Sequence, residues 1–146
     1  MNNDGTQDFI LVTEPLKPEA RDDEDIGDER TLMILTRDAD GKLTLVKRNS
    51  EVVYCKSCGG AFGDPFDGVE VKRGQFTVLN YGGSAWCQGE RDQFNYSRID
   101  KTWQLVRAES LSYHSFDPNK MKTKIRTPKN FGKVDIADFT VISSKP

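Results

Sequence analysis

The sequence predicts an all-β fold, or a β-rich one with a single short helix, in which antiparallel hairpins build a sandwich-like or half-open barrel sheet. Short β-favouring runs recur at spacings near ten residues, and turn signals such as Asp40-Gly41 separate them. A Gly- and Pro-rich stretch from Gly59 to Phe66 excludes an ordinary helix or a central strand in the middle of the chain. The 146 residues are read as one domain with one sizeable core. Hydrophobic residues are only 36% of the chain, so its eight Phe, four Tyr and two Trp must carry much of that core.

The chain opens on Asn2-Asn3-Asp4-Gly5-Thr6-Gln7-Asp8. Asn2, Asp4 and Asp8 fall at alternate ligand positions of a D-x-[DN]-x-[DN]-G calcium loop, with Gly5 at its sharp turn. The first ligand of such a loop would precede Met1, and Leu11 stands where a helix-loop-helix hand needs Glu. Passing straight into Phe9-Ile10-Leu11-Val12, the loop resembles those that precede a strand in VCBS and FG-GAP repeats. The missing carboxylate predicts a structural turn rather than an occupied calcium site, leaving Asn2, Asp4 and Asp8 as the metal candidates.

Residues 9–12 predict a strand, which Pro15 and Pro18 end. Residues 14–30 predict an acidic, mobile loop. Residues 31–36 and 42–47 predict a hairpin closed by Arg37-Asp38-Ala39-Asp40-Gly41, and 51–54 another strand. Two further hairpins are predicted, 69–71 with 76–79 and 93–96 with 102–106. In the tail, residues 118–121 predict one helical turn, and 123–126 and 139–142 extended chain.

Net charge is only −2 but unevenly placed: seven acids oppose two Arg between Glu19 and Arg30, and eight bases oppose two acids between Lys101 and Lys133. These read as a solvated loop and a solvated face, and no nucleic-acid partner is expected. No apolar run reaches the roughly 20 residues that a membrane-crossing helix needs. Polar residues follow Met1 where a secretion signal would be basic and then apolar, which fits a cytoplasmic protein or a mature segment given a starting Met.

Cys55-x-x-Cys58 is half of a tetrahedral zinc site, and completing it would take both Cys87 and His114, so no metal is expected there. A redox Cys-x-x-Cys caps a helix, whereas this one runs into Gly59-Gly60. His114 lies in Ser112-Tyr113-His114-Ser115-Phe116 without a Gly-x-Ser-x-Gly elbow, and reads as a surface or packed residue. The carboxylates Asp64, Asp67 and Glu90 are expected in loops, and nothing pairs them as acid and base. Gly59-Gly60 and Gly82-Gly83 lack the Gly-Lys-Ser/Thr ending of a phosphate loop. The expectation is therefore a protein that is not an enzyme and uses no cofactor. Asp64, Phe66, Tyr81 and Trp86 are the binding candidates, although aromatics on such loops could equally fold back over the core.

From Cys55 onward, Cys55-x-x-Cys58-Gly59-Gly60-x-Phe62-Gly63-Asp64-Pro65-Phe66-x-Gly68, Tyr81-Gly82-Gly83-Ser84-x-Trp86, Trp103-x-Leu105 and Phe131-Gly132-Lys133-Val134 resemble a family of small secreted or lipid-anchored bacterial envelope proteins. One departure is Cys87-Gln88 after Trp86, where the family runs to Arg and another aromatic. The resemblance implies a periplasmic or outer-envelope location. In that oxidising setting a Cys55–Cys58 disulfide would leave Cys87 free or intermolecular; pairing with Cys87 would staple the two Gly-rich loops instead.

Some small envelope proteins of similar architecture neutralise toxins or lytic enzymes of rival bacteria. The expectation that follows is a noncatalytic protein binding a protein partner, such as an immunity or inhibitor protein. The alternatives are a glycan-binding module with Trp86 and Tyr81 as stacking platforms, and a hydrolase using His114 or the loop carboxylates. Exposed strand edges would permit a homodimer.

Overall fold

The computed structural model describes residues 2–14 and 29–140. Most of the segment expected to form the acidic mobile loop, 15–28, lies outside the described residues. Among the described residues, eight strands form two antiparallel sheets. The smaller holds β1 (Phe9–Thr13), β2 (Thr31–Arg37) and β3 (Leu43–Asn49), in that order. The larger is a meander of β4 (Phe66–Lys72), β5 (Gln75–Gly83), β6 (Trp86–Ser97), β7 (Thr102–His114) and β8 (Asp117–Arg126).

The β2–β3 turn forms as its Asp-Gly signal predicts: Asp38 Oδ1 accepts from the amides of Asp40 and Lys42, and Gly41 takes φ +84°. Leu32 and Ile34 from the small sheet meet Phe76, Val78, Phe94, Trp103 and Leu105 from the large one. Ile136 and Phe139 close the side of this core. The preceding Asp135 ties that segment down by accepting from Lys47 Nζ at 3.0 Å and Thr102 Oγ1 at 2.6 Å.

The segment expected as a strand at 51–54 is instead a run of bends. Val52 and Val53 are both buried, and strand alternation cannot bury two consecutive side chains on one face. Two side-chain amides replace the ladder. Asn49 Oδ1 accepts from the amides of Glu51 and Val52, while Asn80 receives from Tyr54 N and donates to Val52 O.

The helical turn expected at 118–121 is part of β8. Register shifts between Ser112 and His114, opposite Pro118, so the proline occupies an irregularity in an edge strand where its missing N–H costs no ladder bond. The short helix lies at α1 (Pro128–Phe131). Pro128 takes the first helical position, Asn130 Oδ1 accepts from Thr127 N at 3.0 Å, and Gly132 ends the turn at φ +75°. Phe139 and Thr140 belong to no strand, and 141–142, the rest of that expectation, lie outside the described residues.

The large sheet outgrows its partner. β6 and β7 run 12 and 13 residues, and buried apolar side chains occupy mainly their half towards Ser97 and Thr102. The other half projects past the small sheet, carrying Trp86 on β6 and His114 on β7 opposite each other.

Candidate functional site

The Cys55–Cys58 disulfide closes a turn in which Cys58 N donates to Cys55 O at 3.0 Å. It leads into Gly59 and Gly60, which press against Gly82 and Gly83 at the end of β5: Gly83 N donates to Gly59 O at 2.9 Å. A Cβ on Gly82 would stand 2.9 Å from Gly59 Cα, and one on Gly83 only 2.0 Å from Trp86 O. The two Gly-rich motifs therefore meet backbone to backbone, an approach that side chains would block.

Across the strands, Ser115 N donates to Ala85 O at 2.8 Å, so the β5–β6 and β7–β8 turns are bonded together. Trp86 stands at this end, 61% exposed, with its ring edge-on to His114 at a centroid distance of 5.1 Å. Phe116, 90% exposed, lies 5.5 Å from His114, whose Nδ1 accepts from Phe116 N. This places His114 in the aromatic cluster rather than beside a nucleophilic serine.

The alternation of β6 places Trp86, Gln88, Glu90, Asp92 and Phe94 on the face that turns towards the small sheet. Tyr81, opposite Gly89, is on the reverse face, where its ring stacks on Phe62 at 6.1 Å and its hydroxyl meets that of Tyr113. The Trp86 and Tyr81 rings thus stand on opposite faces of the sheet, although both residues border one cleft at its end.

Asp64 and Phe66 surround a buried arginine. Arg30 donates two hydrogen bonds to Asp64, both 2.6 Å, two more to Glu14, and lies over the Phe66 ring at 5.7 Å. The Arg30 bond holds the Asp64 carboxyl down at about 2. These two binding candidates fasten the disulfide loop to the ends of β1 and β2.

Beneath Trp86, between the loop and the large sheet, is a cleft of about 250 Å³. Its polar walls include Tyr54, Asn80, Gln88 and Glu90, and the four clamped glycines form one side. The Tyr54 hydroxyl donates to Glu90, and burial followed by this carboxylate pushes its titration well above the usual range. Next along the strand, Asp92 is pushed up to about 7, first by burial and then by the charge of Glu90, with Arg126 opposing. Asp67 and Glu90, expected in loops, lie in β4 and β6.

Cys87 is a buried free thiol opposite Gly83, and the disulfide consumes both thiols of Cys55-x-x-Cys58. Among the described residues no group of three or more His, Cys, Asp or Glu side chains converges on a metal position. At the opening loop, Asp4 Oδ1 accepts from the Thr6 amide, Asp8 Oδ2 accepts from Asn2 N, and the single Thr6 hydroxyl proton is shared between Asp4 Oδ1 at 2.6 Å and Arg37 O at 2.9 Å. Asn2 thus bonds directly to Asp4 and Asp8, and Asp8 Oδ1 accepts from Arg37 N, latching the loop onto β2.

Sequence reasoning missed Phe62, Phe116, Tyr54 and Gln88. The period-2 series Trp86, Gln88, Glu90, Asp92, Phe94 was a usable signal for the last of these. The long-range position of Tyr54 left none. Comparison of the chain with protein-family models, curated proteins and solved structures finds no match.

Proposed function

We propose that the protein is a noncatalytic bacterial envelope protein that binds another protein, most concretely as an immunity or inhibitor protein against an antibacterial toxin or lytic enzyme. The observation that carries a protein partner is that aromatic side chains are accessible on both faces of one sheet end. Trp86 and His114, with Phe116 at the adjoining turn, stand on one face, and Phe62 and Tyr81 on the other. A small ligand covers one face, whereas a protein surface can fold over the end and use both. Aromatic anchors on bonded turns lose little freedom on binding, and Trp and Tyr are enriched among the residues that dominate interface energies. The disulfide suits an oxidising envelope, in keeping with the resemblance of the Cys-x-x-Cys and Tyr-Gly-Gly motifs.

Affinity capture from an envelope fraction, followed by mass spectrometry, tests this reading. A stoichiometric protein partner whose affinity falls by about tenfold or more on Trp86→Ala, with the fold retained, is expected. Capture of no protein, or an affinity unmoved by that substitution, would overturn it. The cleft favours a second reading, since Gln88 and Glu90 beneath an exposed indole suit a sugar ring. Saturable quenching of tryptophan fluorescence by peptidoglycan fragments would support that alternative.

A further inference from the structure

We infer that the cleft beneath Trp86 receives a single guanidinium side chain, with Glu90 as counter-charge and Trp86 as stacking surface. That the guanidinium belongs to a protein rests on the reading above; the chemistry of the cleft does not. Size is the first argument. At about 250 Å³ the cleft is smaller than the roughly 300–1,000 Å³ of most small-molecule sites, and suits one side chain.

Charge is the second. Among the described residues Glu90 is the only Asp, Glu, Lys or Arg lining the cleft, and none of the described cations forms an ion pair with it. Lys124, aligned with Ser110, is two strands away, or about 10 Å between backbones. Lys122 stands likewise across Ser112 from Gln88, and Arg126 across Ala108 from Asp92. Tyr54 donates to one oxygen of Glu90, but a carboxylate has about four acceptor positions, so capacity remains for a forked donor.

Geometry is the third. The indole at the mouth is exposed and stands edge-on to His114, and it lines the same cleft as Glu90, so a planar cation entering there meets an aromatic face and a carboxylate. An ammonium lacks the plane, and a carboxylate ligand would face Glu90.

The test needs no partner. The intact protein is titrated with N-acetyl-arginine amide and, separately, with its uncharged citrulline counterpart, following the Trp86 indole N–H resonance by NMR. The buried Trp103 serves as internal control. A saturable Trp86 shift with the arginine compound is expected, about tenfold weaker with citrulline and about tenfold weaker in Glu90→Gln, which keeps an acceptor for Tyr54. Trp86→Phe, a change at an exposed position, is expected to weaken binding several-fold, read from the amides of Gln88 and Glu90. Equal responses to both compounds, an undiminished response in Glu90→Gln, or no response to arginine would overturn the proposal. Failed partner capture with an intact arginine response would remove the protein reading alone.

Discussion

Arg30 shows how one residue can turn apparent site residues into scaffold. Its side chain is 2% exposed, yet it reaches Glu14 and Asp64 at once, and both carboxylates remain partly in water. Arg30→Met is expected to cost about 1–3 kcal/mol by urea unfolding, because the abandoned carboxylates can re-solvate. Asp64 titrates at about 2 when folded, below its ordinary 3.8. Its stabilising contribution is therefore full above pH 4 and disappears as pH falls towards 2, and Asp64→Asn should reduce the drop in melting temperature over that range. Asp92 has the opposite sign. Its folded value of about 7 lies above 3.8, so its contribution is full below pH 4 and is lost as pH rises through 7. In Asp92→Asn the melting temperature should vary less between pH 5 and 8 than in the wild type. Asp64 was legible as a loop residue beside Pro65, whereas Phe66 opens β4, and nothing local connected Asp64 to an arginine 34 residues away.

Among the elements, hairpins with a strong local code were readable: Asp40-Gly41 and Gly74 each close a turn between β-favouring runs. Segment 51–54 was not, because its backbone bonds go to the side chains of Asn49 and Asn80 rather than to a strand. Asn80→Ala leaves Tyr54 N and Val52 O without those partners, and a loss of about 2 kcal/mol in urea unfolding is expected. Residues 118–121 misled because Pro118 reads as a helix start until the edge position and register shift opposite it are known. The glycine motifs were legible as conformational devices, though not as a pair. Gly83 combines φ +134° with a Cβ position 2.0 Å from Trp86 O, so Gly83→Ala should both destabilise the fold and shift the Trp86 indole resonance. A variant that melts like wild type with an unmoved indole would show that the clamp does not position Trp86.

At the scale of the molecule, the mismatch between a three-stranded and a five-stranded sheet creates the candidate site. The small sheet covers the half of the large one that carries Phe76, Phe94 and Leu105 and leaves the end with Trp86 and His114 projecting. The β character of the fold was readable from local runs and turns. The projecting end was not, because strand lengths beyond the core depend on pairing with neighbours rather than on an apolar pattern of their own. Trp86 and Tyr81 were singled out as binding candidates with their exposure left open, and their separation onto opposite faces emerges only from the register of β5 with β6. The central claim is that a protein partner folds over this end and engages both faces. Amide hydrogen exchange of the protein with and without its captured partner tests it most directly. Protection gained together around Gly60–Phe62 and Tyr81 and around Trp86, His114 and Phe116 is the predicted result. Protection confined to one face, or centred on the small sheet, would contradict it.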